Sequence, residues 1–191
     1  GYWSETRYLA EKFFRDFSPE TPIVSPSGSC AGFIKRHYHK LFTDDAEKQA
    51  LCRRIADNMF ELSDFLVNHL KIEDVGADFP HKVTFHESCS ALREYGIKEE
   101  PFKLLSHVRG LELVEMEESD TCCGFGGTFS VKNTDISSAM VEKKVRNAMA
   151  TGAEFIVSTE ASCLMNINGY LLKHKLPMRG IHLADILNSK K

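Results

Sequence analysis

Apolar side chains recur along the chain with two different spacings, and the alternation of these spacings predicts the fold. Steps of three and four residues are typical of amphipathic helices, and they occur over residues 3–17, 44–70, 135–149 and 162–174. Short apolar runs bounded by turn residues are typical of strands, and they occur over residues 22–25, 82–86, 111–116 and 154–158. Further helices are predicted near residue 30, after residue 88, and over residues 102–107 and 182–187. Strands that alternate with helices predict an α/β fold, with a mostly parallel sheet flanked by helices.

The longest predicted helix, over residues 44–70, carries a single apolar stripe. Its members lie three or four positions apart: Leu51, Ile55, Met59, Leu62, Leu66 and Leu70. A stripe with this spacing lies along one face of a continuous helix. We therefore expect one long helix here, followed by a loop over residues 74–81.

A short internal repeat links the two ends of the chain. Residues 23–30 align with residues 156–163 at an offset of 133, with Cys30 over Cys163. At the same offset the first predicted helix falls on the helix around residues 134–150. A match at a fixed offset, with the same flanking elements, predicts duplicated structural units.

The repeat also predicts how the chain is divided. Residues 1–75 correspond to the later part of a first unit and the long helix, and residues 76–191 to a complete second unit. The counterparts of the later cysteines would precede residue 1, so we expect a truncated first unit, with roughly fifty residues missing upstream.

Composition and charge exclude several classes of protein. The 191 residues are 42% apolar and 27% charged, which is ordinary for a globular protein. The formal net charge of −3 argues against nucleic acid or an anionic membrane as the main partner, because both attract a basic excess. No apolar run approaches the roughly 20 residues of a membrane span, and the first predicted helix is too charged for a signal peptide. We therefore expect a cytoplasmic protein.

The six cysteines point to thiols that are kept reduced for metal binding or redox chemistry, because no secretion signal accompanies them. Four of them follow predicted strands: Cys89, Cys122, Cys123 and Cys163. The loops after parallel strands gather at the carboxyl edge of the sheet, where Rossmann-like folds bind their ligands. We therefore expect these four sulfur atoms to converge on one centre. The alternative is that they are structural thiols of the core.

The adjacent pair Cys122 and Cys123 indicates which kind of metal site is present. Two neighbouring thiolates suit a cluster better than a single tetrahedral ion, because each sulfur can bind a different iron atom. Gly124, Gly126 and Gly127 follow at once, and they allow positive φ and free backbone N–H groups to face a cluster. Soft thiolates select iron–sulfur clusters or zinc over hard cations. No P-loop, dinucleotide fingerprint or nucleophile–base pair is visible.

These cysteines and their neighbours resemble the cysteine-rich CCG domain. The local strings are His86-Glu87-Ser88-Cys89, Cys122-Cys123-Gly124-Phe125-Gly126-Gly127 and Ser162-Cys163-Leu164-Met165-Asn166. That domain occurs in the heterodisulfide reductases, in the iron–sulfur component of glycolate oxidase and in the lactate-utilisation protein A family, and the strings are most similar to the last of these. The resemblance extends from end to end of the chain, and Ser25-Pro26-Ser27-Gly28-Ser29-Cys30 is similar to the close of a first motif.

The resemblance implies a function. It implies two cysteine motifs in a full chain, a cluster, most simply [4Fe–4S], and an electron-transferring subunit, itself without catalytic residues, of a complex that oxidises L-lactate to pyruvate. Its partners are then the other subunits of that complex. The string departs from the broader family pattern at Asn166, where many members have a fifth cysteine. This favours a site with four cysteine ligands over the unusual cluster of the heterodisulfide reductases.

Other functions stay open at this point. The chain could serve a glycolate- or glycerol-3-phosphate-oxidising complex, or one like the heterodisulfide reductases. It could also be a zinc-stabilised scaffold without redox turnover. A sample prepared in air could lack the cluster or hold zinc in its place.

Further residues have predicted roles around the centre. Cys30 is expected to bind metal in the truncated first unit, and Cys52, which has no partner in the repeat, to be a core thiol. His86 is predicted either to donate a hydrogen bond behind the ligands or to be an ordinary satisfied histidine. Arg93 either compensates the charge of a cluster or forms a surface ion pair. An acidic run is expected to be a solvated edge or a docking surface for a partner subunit: Glu112, Glu115, Glu117, Glu118 and Asp120.

Overall fold

Two parallel sheets organise residues 1–190, which the computed structural model describes. The strands are β1 Ile23–Ser25, β2 Met59–Glu61, β3 Lys82–Phe85, β4 Glu112–Val114, β5 Phe155–Ser158 and β6 Arg179–His182. The helices are α1 Trp3–Asp16, α2 Gly28–His37, α3 Ala46–Asp57, α4 Leu62–Asp64, α5 Glu100–Ser106, α6 Thr128–Lys132, α7 Thr134–Ala150, α8 Ala161–Lys173 and α9 Leu183–Leu187. Short 3₁₀ and π turns occupy Tyr38–Phe42, Phe65–His69 and Ala91–Tyr95.

The larger sheet has the strand order β4-β3-β5-β6 and carries the core on both faces. Ile156 and Val157, neighbours on the central strand β5, are both fully buried and point to opposite sides. Ile156 packs with residues of α7 and α8, and Val157 packs with residues of α5 and α9. The predicted α/β, Rossmann-like architecture with a mostly parallel sheet is confirmed.

The single long helix predicted over residues 44–70 is wrong. Helix α3 ends at Asp57, and strand β2 then pairs with β1, with Met59 opposite Ile23. The ammonium of Lys35 joins the end of α3 to the start of β2, because it donates to the carbonyls of Ala56 and Met59. A strand of three residues has no period of its own, so the apolar spacing continued across it as if the helix were unbroken.

Strand β6 is absent from the sequence prediction, which placed only a helical turn over residues 182–187. The observed helix α9 begins one residue later, at Leu183. The strand has no apolar run, and it depends on its ladder with β5. The side-chain amide of Asn168 bonds both backbone groups of Gly180, donating to its oxygen at 3.1 Å and accepting from its nitrogen at 2.7 Å. Long-range pairing therefore decides this strand.

The pairing of the strands is consistent with duplicated units. Ser25 lies opposite Glu61 in the β1–β2 pair, and Ser158, 133 positions after Ser25, lies opposite His182 in the β5–β6 pair. Glu61 and His182 each cap the helical turn that follows, with a side-chain acceptor for its backbone N–H groups. The division at residue 75 stays a prediction, and position 191 of the second unit lies outside the described residues.

No helix among residues 1–190 is long and apolar enough to cross a membrane.

Candidate metal centre

Four thiols lie in loops and helix starts at the carboxyl edge of the larger sheet. Cys89 follows β3, Cys122 and Cys123 follow β4, and Cys163 lies in the first turn of α8 after β5. Cys123 and Cys163 are buried, whereas Cys89 and Cys122 are half-buried. The two half-buried thiols, Cys89 and Cys122, are neighbours, and so are the two buried thiols, Cys123 and Cys163. The centre therefore has an inner pair and an outer pair of sulfur atoms.

A histidine lies beside the inner pair of thiols. One ring nitrogen of His86 and the Sγ atoms of Cys123 and Cys163 all lie within 4.8 Å of one another. His86 follows β3 directly, and its backbone N–H donates to the carbonyl of Val157 at 2.8 Å, which extends the β-ladder by one residue. The hydroxyl of Ser158 donates to the His86 carbonyl at 3.1 Å. These bonds hold the backbone of His86 at the sheet edge, and its side chain is fully buried.

The loop before the vicinal cysteines is anchored at one carbonyl oxygen. The oxygen of Ser119 accepts from the backbone N–H of Glu87 at 3.1 Å, from Nδ1 of His86 at 3.3 Å and from Nζ of Lys144 at 3.0 Å. Lys144 also donates to the carbonyl of Glu118, and the Ser119 hydroxyl donates to the Glu87 carboxylate at 2.6 Å. Strand β3, this loop and helix α7 are thereby tied together beside the thiols.

The inner thiols differ in their acidity. The hydrogen bond from the Cys163 thiol, with the nearby His86 ring, lowers the pKa of Cys123 to about 4. The same contact, together with burial, raises the pKa of Cys163. Burial also raises the pKa of Cys122. The inner pair therefore holds one thiolate at neutral pH, and thiolates are the form of cysteine that binds metal.

Lys144 supplies a buried positive charge beside this thiolate. Its side chain is only 1% exposed, and burial lowers its pKa, while Asp120 and the Cys123 sulfur oppose that shift. Among residues 1–190 its hydrogen bonds go to backbone carbonyls and to no carboxylate. The buried thiols are therefore the groups that can compensate the charge of this ammonium, by forming a thiolate.

The glycine turn has the predicted backbone. Gly124, Gly126 and Gly127 have φ values of +83°, +52° and +58°. The N–H of Gly124 donates to Sγ of Cys122 at 3.3 Å, so at least one freed backbone donor faces a sulfur atom. A side chain at Gly124 would meet the carbonyl oxygen of Ser137 at 2.7 Å, because the turn packs directly on α7. Only glycine fits this approach.

Asn166, the residue at the position of the fifth family cysteine, lies beside the centre without offering a sulfur. Its side-chain amide donates to the carbonyl of Cys123 at 2.9 Å. It therefore holds the backbone of the vicinal cysteines.

Three residues of the sequence prediction are not among the inner donors. Cys30 is exposed in the first turn of α2. Cys52 is buried with Ala10, Leu41 and Phe42, which confirms it as a core thiol. Arg93 is exposed and forms no ion pair with any residue from 1 to 190. The roles proposed for Cys30 and Arg93 stay predictions.

Sequence reasoning missed Lys144 and Glu160, both buried beside the centre. A signal for Lys144 was present, because it lies on the buried stripe of α7 with Ser137, Val141 and Ala148. A lysine at a core position of an amphipathic helix needs a partner. Glu160 precedes Cys163 by three residues and had no such signal.

The donors fit a soft or borderline metal. Four thiols and a buried imidazole nitrogen are the ligand types that bind zinc and iron–sulfur clusters, and no carboxylate shares the inner group. A buried nitrogen atom that lacks a hydrogen-bond partner, Nε2 of His86, supports the same fit.

Comparisons with known proteins agree with this reading of the residues. The family described as "Cysteine-rich domain", CCG, matches residues 83–168. The "Lactate utilization protein A" of Geobacillus sp. (strain WCH70) is 42% identical over 190 residues, which is 100% of this chain and 79% of that protein. The proteins of the same name from Bacillus subtilis (strain 168) and Bacillus licheniformis are also 42% identical over 190 residues, with the same shares of each chain.

Proposed function

Because the chain belongs to the lactate utilization protein A family, we propose that it serves lactate utilisation as an iron–sulfur electron-transfer subunit. The observation that carries the proposal is that thiols from separate loops are neighbours at one sheet edge, Cys89 beside Cys122 and Cys163 beside Cys123. The names of the relatives favour lactate over glycolate or glycerol 3-phosphate as the substrate of the complex. The other subunits of a lactate-oxidising complex are then its partners, in the cytoplasm.

The proposed ligands of the cluster are Cys89, Cys122, Cys123 and Cys163. A bound [4Fe–4S] cluster would supply a one-electron redox couple. The chain itself would hold the cluster and shield its inner side from water, since Cys123, Cys163 and His86 are buried. Lys144 would offset part of its negative charge. The half-buried thiols Cys89 and Cys122 lie on the side from which a redox partner can approach.

The acidic run supports a partner with a basic surface. Glu112 and Glu118 form ion pairs with Lys82 and Lys143. The other three members make no ion pair within the described chain: Glu115, Glu117 and Asp120. These carboxylates precede Cys122 closely in the chain, so a basic partner docked on them would lie close to the outer thiols.

A zinc-stabilised scaffold is the second candidate. The observation that favours it is the compact group of one histidine and two cysteines, which suits a single tetrahedral ion. In that case the outer thiols have no redox role.

Metal content separates the two candidates. We expect full-length protein purified without oxygen to contain iron and acid-labile sulfide, and to show visible absorption that dithionite bleaches. Replacement of Cys122 by serine is expected to remove most of this iron, whereas Cys52→Ser, in the separate core cluster, leaves it unchanged. Stoichiometric zinc without sulfide in the wild-type protein would contradict the iron–sulfur proposal.

Growth tests the link to lactate. A strain that lacks the gene is expected to stop growing on L-lactate and to grow normally on pyruvate. Wild-type and Cys52→Ser chains are expected to restore growth on lactate, and Cys122→Ser is not. Normal growth of the deletion strain on lactate would overturn the assignment.

A further inference from the structure

We propose that His86 binds the metal directly, through Nε2, as part of a mixed nitrogen–sulfur donor set with Cys123 and Cys163. The inference deepens the proposed function and rests on this centre being a metal site. It assigns the histidine to the ligands themselves, instead of to a hydrogen-bonding role behind four cysteines.

The hydrogen bond of the other ring nitrogen determines which atom is free. Nδ1 lies 3.3 Å from the carbonyl oxygen of Ser119. A carbonyl oxygen only accepts, so Nδ1 carries the proton and donates it to this bond. In the neutral ring Nε2 then has its lone pair available. A backbone carbonyl that receives the second ring N–H is the usual arrangement behind a metal-binding histidine.

Nε2 has no hydrogen-bond partner in the part of the chain that the structure describes, although the whole side chain is buried. An unsatisfied buried polar atom destabilises the fold, and an ordinary core histidine would have both nitrogen atoms paired. The ring cannot turn away easily, because its Nδ1 is bonded to the carbonyl of Ser119 and the side chain is enclosed by protein. A metal ion at Nε2 would satisfy the atom where it lies.

The spacing of the three donors suits one ion. One ring nitrogen of His86 and the Sγ atoms of Cys123 and Cys163 lie within 4.8 Å of one another. Tetrahedral zinc, with bonds of about 2.0–2.1 Å to nitrogen and about 2.3 Å to sulfur, needs ligand atoms roughly 3.5–3.8 Å apart. Small movements of side chains therefore bring the three donors to bonding distance. Cys122 or Cys89, from the outer pair, is available as a further sulfur ligand.

Binding of a divalent ion by the three donors balances without any change in oxidation state. A thiol proton that the ion displaces from either cysteine passes to solvent.

X-ray absorption of the zinc-loaded, full-length protein tests the inference. Zinc is added in one equivalent to reduced, metal-free protein. We expect one imidazole nitrogen at about 2.0 Å together with sulfur atoms at about 2.3 Å. A shell made of sulfur atoms alone in the wild-type protein would overturn the proposal.

Variants add a second readout. We expect His86→Gln to lose the imidazole scattering and to bind zinc at least tenfold more weakly. The matched control is His174→Gln, which replaces an exposed histidine at the end of α8 and should change neither quantity. If His86→Gln fails to fold, the wild-type spectrum still decides the question.

The test is independent of the proposed electron-transfer role. A nitrogen ligand to zinc in a protein that assembles no iron–sulfur cluster would support His86 as a ligand and contradict the function. A protein that assembles the cluster, but whose bound zinc has sulfur ligands alone, would support the function and contradict His86 as a ligand.

Discussion

The ammonium of Lys144 is the one buried lysine nitrogen beside the thiols in residues 1–190, and it meets backbone carbonyls alone. Removing a charge from water is costly unless an opposite charge compensates it. The carboxylate of Asp120 and the inner thiol of Cys123 lower that cost in the folded chain. At the scale of single residues, Lys144 and the centre are thus expected to stabilise each other.

Replacement of Lys144 by methionine is expected to make the reduction potential of the cluster more negative. The buried positive charge favours the reduced form, which carries one more negative charge. At an effective dielectric constant near 20 the effect is on the order of 1 kcal/mol, or about 40 mV. A redox titration followed by electron paramagnetic resonance measures the shift.

Lys143→Met is the matched control for this measurement. Lys143 is the preceding residue of α7, it is half exposed, and it pairs with Glu118 at the surface. We expect a shift of a few millivolts at most, because water screens the charge. Equal shifts in the two variants would show that the buried position of Lys144 has no special effect.

At the scale of elements, the turn between β4 and α7 positions two of the four thiols. Gly127 caps α6 with φ +58° and ψ −113°, a combination that other residues rarely adopt. A side chain at Gly127 would meet no atom within 4 Å. Any effect of a substitution there therefore comes from the backbone, and not from a steric clash with neighbours.

Gly127→Val is expected to lower metal occupancy more than it lowers the stability of the fold. The strain, about 1–3 kcal/mol, is relieved by a change of the turn that moves the vicinal cysteines. The metal-to-protein ratio and the melting temperature of each variant measure the two effects. Cys52→Ser is the control and keeps full occupancy. Loss of metal in the control would mean that the wrong thiols have been assigned.

At the scale of the whole molecule, the two predicted units meet through the starts of α2 and α8. The carboxylate of Glu160, only 2% exposed, accepts from the hydroxyls of Ser27 and Ser29 and from the backbone N–H of Ser29. Ser27 and Glu160 cap these two helices and lie 133 positions apart, which is the offset of the repeat. Positions that the repeat predicts to be equivalent are therefore in direct contact.

Glu160→Gln is expected to destabilise the protein by about 1–3 kcal/mol, because the amide offers one acceptor where the carboxylate offers two. Urea unfolding of Glu160→Gln, Ser29→Ala and the double variant should give a coupling energy of at least about 0.5 kcal/mol. Glu142→Gln, at an exposed position of α7, is the control and should change stability by less than about 0.5 kcal/mol. Additive effects of the two substitutions would contradict a contact between the units.

The sequence alone determined the α/β class, the glycine turn and the edge of the sheet on which the cysteines lie. These features depend on local patterns and on one topological rule: the loops after parallel strands gather at one edge. Apolar runs such as residues 154–158 are recognisable without their neighbours. The short strands β2 and β6 are different, because β2 is too short to show a period and β6 has no apolar run. Both are recognised only by their ladders with β1 and β5.

The tertiary structure alone decided which atoms of the centre are buried and which are left without a partner. His86 and Ser119 lie 33 positions apart, and Lys144 reaches Ser119 from a further 25 positions along the chain. Burial and hydrogen-bond satisfaction depend on such long-range neighbours, and no local pattern records them. The division into inner and outer thiols and the free Nε2 of His86 therefore emerged only once the chain was folded.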